Sequence, residues 1–344
     1  MQGRGADMAM IHGRPFHVVG TGCVVRRRGG RLVALKDGEL QASAPLTQIS
    51  EVVLSGQVGI STQAMHALLA RDIPLVLLST SGCPLGRMEP PGAGHVLARR
   101  RQLERHSVVS DRLELSRVLV AGKIRNQHVL LRRRARRASD PELVWQAAAR
   151  LSALEVRVGE CGDVPEVMGV EGGASGVYYR AFSAVLDPGL GFNGRDRRAG
   201  DVVNALTNYC SALLRETVIS ALLAAGLDPY VSFLHTPARG RPTLAFDLME
   251  EWRPVLLDST VLALTGLRAV TPEDLEDGPD GPWLSPHARG QVVNRFHARL
   301  AAQARGWPAP PARRTYADQI LAQCVALRTW VLGESASYEP FAWR

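Results

Sequence analysis

Paired cysteines, long apolar runs and a signal segment are all missing from this chain. Its five cysteines (Cys23, Cys83, Cys161, Cys210 and Cys324) are odd in number, and none are spaced CxxC. That excludes a disulfide framework and a structural zinc site, and points to neutral thiols in a reducing cytoplasm. No apolar run approaches the roughly 20 residues of a membrane helix. Residues 1–13 lack an apolar h-region, so they are expected to be a disordered extension rather than a secretory signal. Lysine is scarce, with only Lys36 and Lys123. There is no GxGxxG opening a βαβ unit, no Walker P-loop and no GxSxG elbow. Nucleotide-cofactor and serine-hydrolase chemistry therefore have no support.

What is present is arginine. The 344 residues are 46% hydrophobic and 22% charged, with a net charge of +8. Residues 99–137 hold thirteen basic side chains and three acids (Glu104, Asp111 and Glu114), a local balance of +10. The rest of the chain is therefore slightly acidic. A stripe this concentrated fits a polyanion such as nucleic acid, against the alternative of a solvated helix face.

The length suggests two domains, and the patterning changes midway. Residues 14–95 read as mostly strand: "FHVVG", "CVVRR", "RLVALK", "EVVLSG" and "IPLVLLST" are short β-branched runs. Asp37-Gly38 is a hairpin turn signal, and "STQAMHALLARD" has helical spacing with Ser61 or Thr62 as N-cap. Pro90, Pro91, Gly92 and Gly94 mark a break. Residues 96–344 then read as helices. Leu113, Val120, Ile124 and Leu131 share a face. A long helix over 201–225 ends at Gly226, and further helices are expected at 244–264, 287–304 and 315–332. The fold class expected is α+β: a small β-rich N-terminal domain and a larger all-helical catalytic domain.

Three segments of the second domain could carry chemistry. In "MGVEGGASGVYYRAF", Glu171 is either a helix N-terminal charge or a ligand. In "GLDPYVSFLHTPARGRPTLAFDLMEEWRP", His235 is either a structural histidine or a ligand. Asp247 and Glu250 are spaced i, i+3 in apolar surroundings, so they share a helix face and need a partner. That partner is a metal ion, or Arg253 through a salt bridge. Glu171, His235 and Glu250 together offer one imidazole and two carboxylates, a set suited to Mg²⁺ or Mn²⁺. Such an ion can polarise a phosphodiester. Candidate DNA contacts are Lys123, Arg125, Arg132 and Arg133 in the stripe, Arg239 and Arg241 in the loop, and Arg253. The third segment, "GRDRRAGDVVNAL", is a basic loop before a helix capped by Asp201.

From Phe16 to Arg344 the sequence resembles the universal adaptation endonuclease/integrase family of CRISPR spacer acquisition. The most specific match is "GLDPYVSFLHTPARGRPTLAFDLMEEWRPVLLD". "VEGGASGVYY", "DVVNAL", "AGKIRNQ", "VTPEDLEDG" and "YEPFAWR" add to it. The resemblance implies a β-sandwich N-terminal domain that forms homodimers. It places the metal ligands on Glu171, His235 and Glu250, with Asp247 as a supporting catalytic acid. It implies a small dimeric partner subunit. It also implies metal-dependent joining of 3′-hydroxyl ends of double-stranded DNA to a CRISPR repeat by transesterification. Cys210 and Ser211 stand where the family often has Gly-Tyr, with Tyr209 the candidate replacement aromatic, and Gly200 stands where a proline is frequent. The competing functions are a mobile-element integrase or branched-DNA repair nuclease outside CRISPR, and a non-catalytic DNA-binding scaffold.

Overall fold

The computed structural model describes residues 14–79, 84–89, 95–198, 200–278, 282–307 and 314–344. The chain divides into two compact units between residues 92 and 93. The expected extension at 1–13, Cys83 and the Pro/Gly break at 90–94 lie outside the described residues.

The first unit holds β1 (Arg14–Val19), β2 (Cys23–Arg28), β3 (Arg31–Lys36), β4 (Glu39–Pro45), β5 (Ile49–Ser55), β6 (Gly59–Ile60), α1 (Thr62–Leu69), β7 (Leu75–Leu78) and β8 (Pro84–Met88). One sheet runs β1-β5-β7-β8 and the other β4-β3-β2-β6. In the first, β1, β5 and β7 are parallel and β8 is antiparallel to β7. Phe16, Val18, Val52, Leu54 and Leu75 from one sheet share a core with Val25, Leu32 and Ala34 from the other. The unit is thus a sandwich, with Ala64 and Leu68 of α1 in the same core. Ser61 caps α1 by accepting from the Ala64 amide. Asp37 and Gly38 join β3 to β4 with φ of 51° and 87°, as a two-residue hairpin turn requires.

The second unit holds α2 (Val96–Ser107), α3 (Val109–Arg134), α4 (Pro141–Val158), α5 (Val164–Ser183), α6 (Val202–Ala225), α7 (Thr243–Trp252), α8 (Ser259–Gly266), α9 (Pro286–Leu300) and α10 (Tyr316–Leu332). The 26-residue α3 buries Leu119, Val120, Ile124 and Leu131 and packs against α4, α5 and α7. It thereby sets three helices around one axis. Gly226 closes α6 at φ 82°, the left-handed conformation of a helix-ending glycine. The single helix expected over 244–264 is instead two, α7 and α8, joined by a wide turn over Arg253–Asp258. Pro254 lies in that turn and removes an amide donor from the helical ladder. Nor is this unit wholly helical. Leu275–Glu276 pairs with Trp283–Leu284, and Gly306–Trp307 with Ala342–Trp343. Strands of two residues leave no period to read. Among the described residues, no helix is long and apolar enough to cross a membrane.

Candidate metal centre

The side chains expected to carry chemistry lie on α3, α5, α7 and the loop before α7. α5 starts earlier than the Glu-Gly sequence suggests. Asp163 caps it by accepting from the Glu166 amide at 2.8 Å, and a proline occupies its first turn. Glu171 therefore sits inside the helix. The reading of it as a helix N-terminal charge is corrected: it is half-buried and faces α3, with Ser175 donating to its Oε1 at 3.0 Å.

His235 ends a loop that the rest of the unit pins down. Gln102 donates to the carbonyls of Asp228 and Val231, and Ser116 donates to the Phe233 carbonyl. Asp247, wholly buried on α7, completes the fixation. Its Oδ2 accepts from the amides of Phe233 and Leu234 at 2.7 and 3.0 Å. Its Oδ1 accepts from the His235 amide at 3.0 Å and faces His235 Nδ1 at 2.7 Å. With Nδ1 carrying the proton towards Asp247, Nε2 is left as the free lone pair. Asp247 thus acts on the site through His235. Burial disfavours the charged imidazole, but the Asp247 hydrogen bond and the charges of Asp247, Glu250 and Glu171 outweigh it and raise the His235 pKa.

Glu250 lies one turn beyond Asp247 on the same face of α7. Arg253 Nε donates to its Oε1 at 3.0 Å, so of the two partners the sequence left open the Arg253 salt bridge forms. Its Oε2 lies 2.5 Å from Lys123 Nζ. The ammonium is that buried oxygen's ionic partner. Burial alone would raise the Glu250 pKa; Arg253 and Lys123 overcome it and hold the carboxyl at about 2. Lys123 also donates to Glu171 Oε1. One ammonium from α3 thus touches carboxylates on both α5 and α7.

The Lys123 ammonium brings Glu171 and Glu250 to one cation, and the charges of both glutamates help raise the His235 pKa. Among the described residues, however, no three His, Cys, Asp or Glu side chains meet closely enough to share an ion. The donor chemistry, one imidazole and two carboxylates, fits a hard divalent cation. The Lys123 ammonium occupies the place beside both carboxylates.

Sequence reasoning missed the groups that support this site. Glu251, next to Glu250, points away and accepts from the Tyr338 hydroxyl at 2.9 Å and the Phe341 amide at 2.7 Å. Asn126 donates to the carbonyls of Glu251 and Phe341 and accepts from the Trp343 amide. A side chain at Gly122 would meet Pro340 at 2.7 Å, so glycine there lets the C-terminal segment lie on α3. The "AGKIRNQ" and "YEPFAWR" motifs are thus one packed unit behind the site. Tyr178 donates to Asp258 at 2.7 Å. Burial, with Asp258, lifts the pKa of the adjacent Tyr179 to about 12 despite Arg253, Lys123 and Arg195 nearby. Tyr179 is therefore an aromatic beside the charged cluster, whereas Tyr209 is buried in α6.

The candidate DNA contacts separate into four groups. Lys123 and Arg253 are not on an open face; they pair with the acids. Arg125 is exposed and pairs with Glu155. Arg132 is exposed near Trp145, and Arg239 and Arg241 are exposed on the loop after His235. Arg133 lies 3.9 Å over the Trp343 ring. It joins Arg134, Arg295 and Arg299 around a cavity of about 470 Å³ that sequence reasoning did not find. Burial lowers the Arg133 pKa; Tyr316 opposes this, and Arg299, Arg134 and Arg305 lower it further. Arg195 serves structure, donating to Asn204 and Asn208 of α6.

The family model described as "CRISPR associated protein Cas1" matches residues 16–298. A "CRISPR-associated exonuclease Cas4/endonuclease Cas1 fusion" of Rhodospirillum rubrum is 36% identical over 83% of this chain, which spans 50% of that relative's length. "CRISPR-associated endonuclease Cas1 3" of Thermus thermophilus is 34% identical over 93% of this chain and 92% of its own. Among solved structures, a casposase bound to integration product aligns with a TM-score of 0.79 at 22% identity, over 95% of this chain and 92% of that one. A Cas6-RT-Cas1–Cas2 complex aligns with a TM-score of 0.80 at 21% identity, over 96% of this chain and 36% of that one. Those two structures agree with the fold, a strand-rich unit followed by a larger helical one. The match across most of the chain and the two relatives together show that this chain belongs to the CRISPR associated protein Cas1 family.

Proposed function

We propose that this protein is a divalent-metal-dependent DNA integrase of CRISPR adaptation, with endonuclease activity. It joins the 3′-hydroxyl ends of a short DNA duplex to a CRISPR repeat. The observation that carries this reading is the pairing of the Glu171 and Glu250 carboxylates on one ammonium, together with Asp247 fixing the His235 imidazole. The names of the two relatives, endonucleases in both cases, support it.

Glu171, Nε2 of His235 and Glu250 would hold Mg²⁺ or Mn²⁺. The ion would supply polarisation of a phosphodiester and activation of a hydroxyl nucleophile. The protein's own part is placement. Asp247 keeps the His235 lone pair aimed, and α3, α5 and α7 keep the acids apart at fixed spacing. The exposed Arg239 and Arg241 bind flanking phosphates. In the joining step the 3′-oxygen forms a new bond to phosphorus as an old phosphorus–oxygen bond breaks. The number of phosphodiester bonds is unchanged, so no external energy source is needed. The protein acts as a homodimer through its first unit, with a small dimeric partner; a structural neighbour that contains Cas2 supports such a partner.

Incubation of the protein with a labelled 3′-hydroxyl duplex and repeat DNA tests this. Joining is expected with Mn²⁺ or Mg²⁺ and not with chelator, and is lost in Glu171→Ala and His235→Ala. Either variant joining as fast as the parent sinks the proposal.

A further inference from the structure

We propose that Lys123 is a built-in counter-cation that clasps Glu171 and Glu250 in the metal-free protein and leaves them when a divalent ion binds. The inference rests on the metal site proposed above and adds a competing state to it.

Lys123 Nζ contacts one carboxylate on α5 and one on α7. These are the two acids that a shared ion would have to bridge. Arg253 already serves Oε1 of Glu250, which leaves Oε2 as the free side of that carboxylate. That oxygen has the ammonium 2.5 Å away as its ionic partner. An ion sharing those carboxylates would stand beside the ammonium, where like charges repel.

The residue type suits a cation that moves. Every other basic residue of the chain except Lys36 is arginine. Arginine's planar fork would lock onto a carboxylate, whereas a compact ammonium on a four-carbon stem can swing away. Once displaced, that charge remains beside the site, where a DNA phosphate would accept it. The protein alone then binds metal with an apparent affinity reduced by the small fraction in which the clasp is open.

Calorimetric titration of the full-length protein with Mn²⁺ compares the parent with Lys123→Met. The variant is expected to bind Mn²⁺ about tenfold tighter or more, because the competing state is removed. Equal or weaker binding overturns the inference and leaves the metal site standing. If neither protein binds Mn²⁺, the metal reading and this inference fall together. Should Lys123→Met not fold, the parent protein labelled with ¹³C and ¹⁵N in lysine gives a second reading. Its side-chain spectrum has only two lysines, and the exposed Lys36 on β3 is the internal control. Titration with Mg²⁺ is expected to move the Lys123 signal in step with binding and to leave Lys36 in place. A Lys123 signal that stays still while Mg²⁺ binds rules the displacement out.

Discussion

Glu250 and Glu251 are adjacent on α7, and both are buried, at 5% and 0% exposure. Their surroundings differ completely. Glu250 faces Arg253, Lys123 and the loop of His235, and its carboxyl is held at about 2. Glu251 faces the C-terminal segment, where burial dominates and pushes its carboxyl to about 8 against the bonds from Phe341 and Tyr338. Depth is therefore not what sets the charge of a buried acid; the partners are. One face of α7 stores negative charge for a cation. The other uses a carboxyl as a hydrogen-bonding post for chain packing.

The largest effect that tests this contrast is catalytic. Glu250→Gln is expected to lower DNA joining by at least about a hundredfold, because it removes an anionic ligand from the proposed ion. Glu251→Gln keeps the side chain's shape and an acceptor oxygen for the Phe341 amide, its NH2 can donate to the Tyr338 oxygen, and it is expected to leave joining unchanged. A single-turnover assay with Mn²⁺ compares the two. Equal losses would mean that both acids serve packing. Next in size is Asp247→Asn. It keeps the side chain's shape but replaces one acceptor oxygen by an amide donor. Each oxygen of Asp247 faces two of the four donors from residues 233–235, so the two that faced the lost oxygen lose their acceptor. Metal affinity is expected to fall about 10–100-fold, as when a histidine ligand loses its orienting carboxylate. Mn²⁺ titration measures it, and unchanged affinity would show that the loop holds His235 without Asp247.

The contrast also predicts opposite dependences of stability on pH. The Glu250 carboxyl is depressed in the folded protein. Its contribution is present above the ordinary value of 4.5 and is lost as pH falls towards about 2. The Glu251 carboxyl is raised. Its contribution is present below 4.5 and is lost as pH rises through about 8. In chelator-treated protein, Glu251→Gln is expected to flatten the decline in melting temperature between those two pH values. Glu250→Gln is expected to weaken the acid-side loss instead. Identical profiles for both variants would break the comparison.

The sequence distinguishes these two faces only in part. The i, i+3 spacing of Asp247 and Glu250, in apolar surroundings, was enough to put both acids on one face and to demand a partner. The capped ends of α1 and α6 were equally readable, because Ser61, Asp201 and Gly226 act on their own neighbours. Long-range partners were not readable. Nothing near Glu251 says that Tyr338, nearly ninety positions later, will donate to it, and nothing near Lys123 says that its charge is buried. The stripe at 99–137 shows as charge density in sequence. In the fold its helix turns Lys123 inward and leaves Arg125, Arg132 and Arg133 exposed, since helical neighbours point to different faces.

The smallest effect concerns those outward charges. Arg133 and Arg299 lie over aromatic rings, Arg133 on Trp343 and Arg299 on Tyr316 at 4.6 Å. The rings orient the guanidinium planes without neutralising them. Together with Arg134 and Arg295 they line one cavity, which no sequence pattern joins. A phosphate entering it would relieve the mutual repulsion of these cations, unlike at Lys123, where carboxylates already do so. Arg133→Gln combined with Arg299→Gln is therefore expected to flatten the salt dependence of duplex binding, by about 0.9 units of slope for each phosphate no longer neutralised. Lys123→Met, whose charge is spent inside the protein when no metal is present, is expected to leave that slope unchanged in chelator. Fluorescence anisotropy over a series of salt concentrations reads both. A slope that changes with Lys123 and not with the arginine pair would reverse the assignment of inward and outward charge.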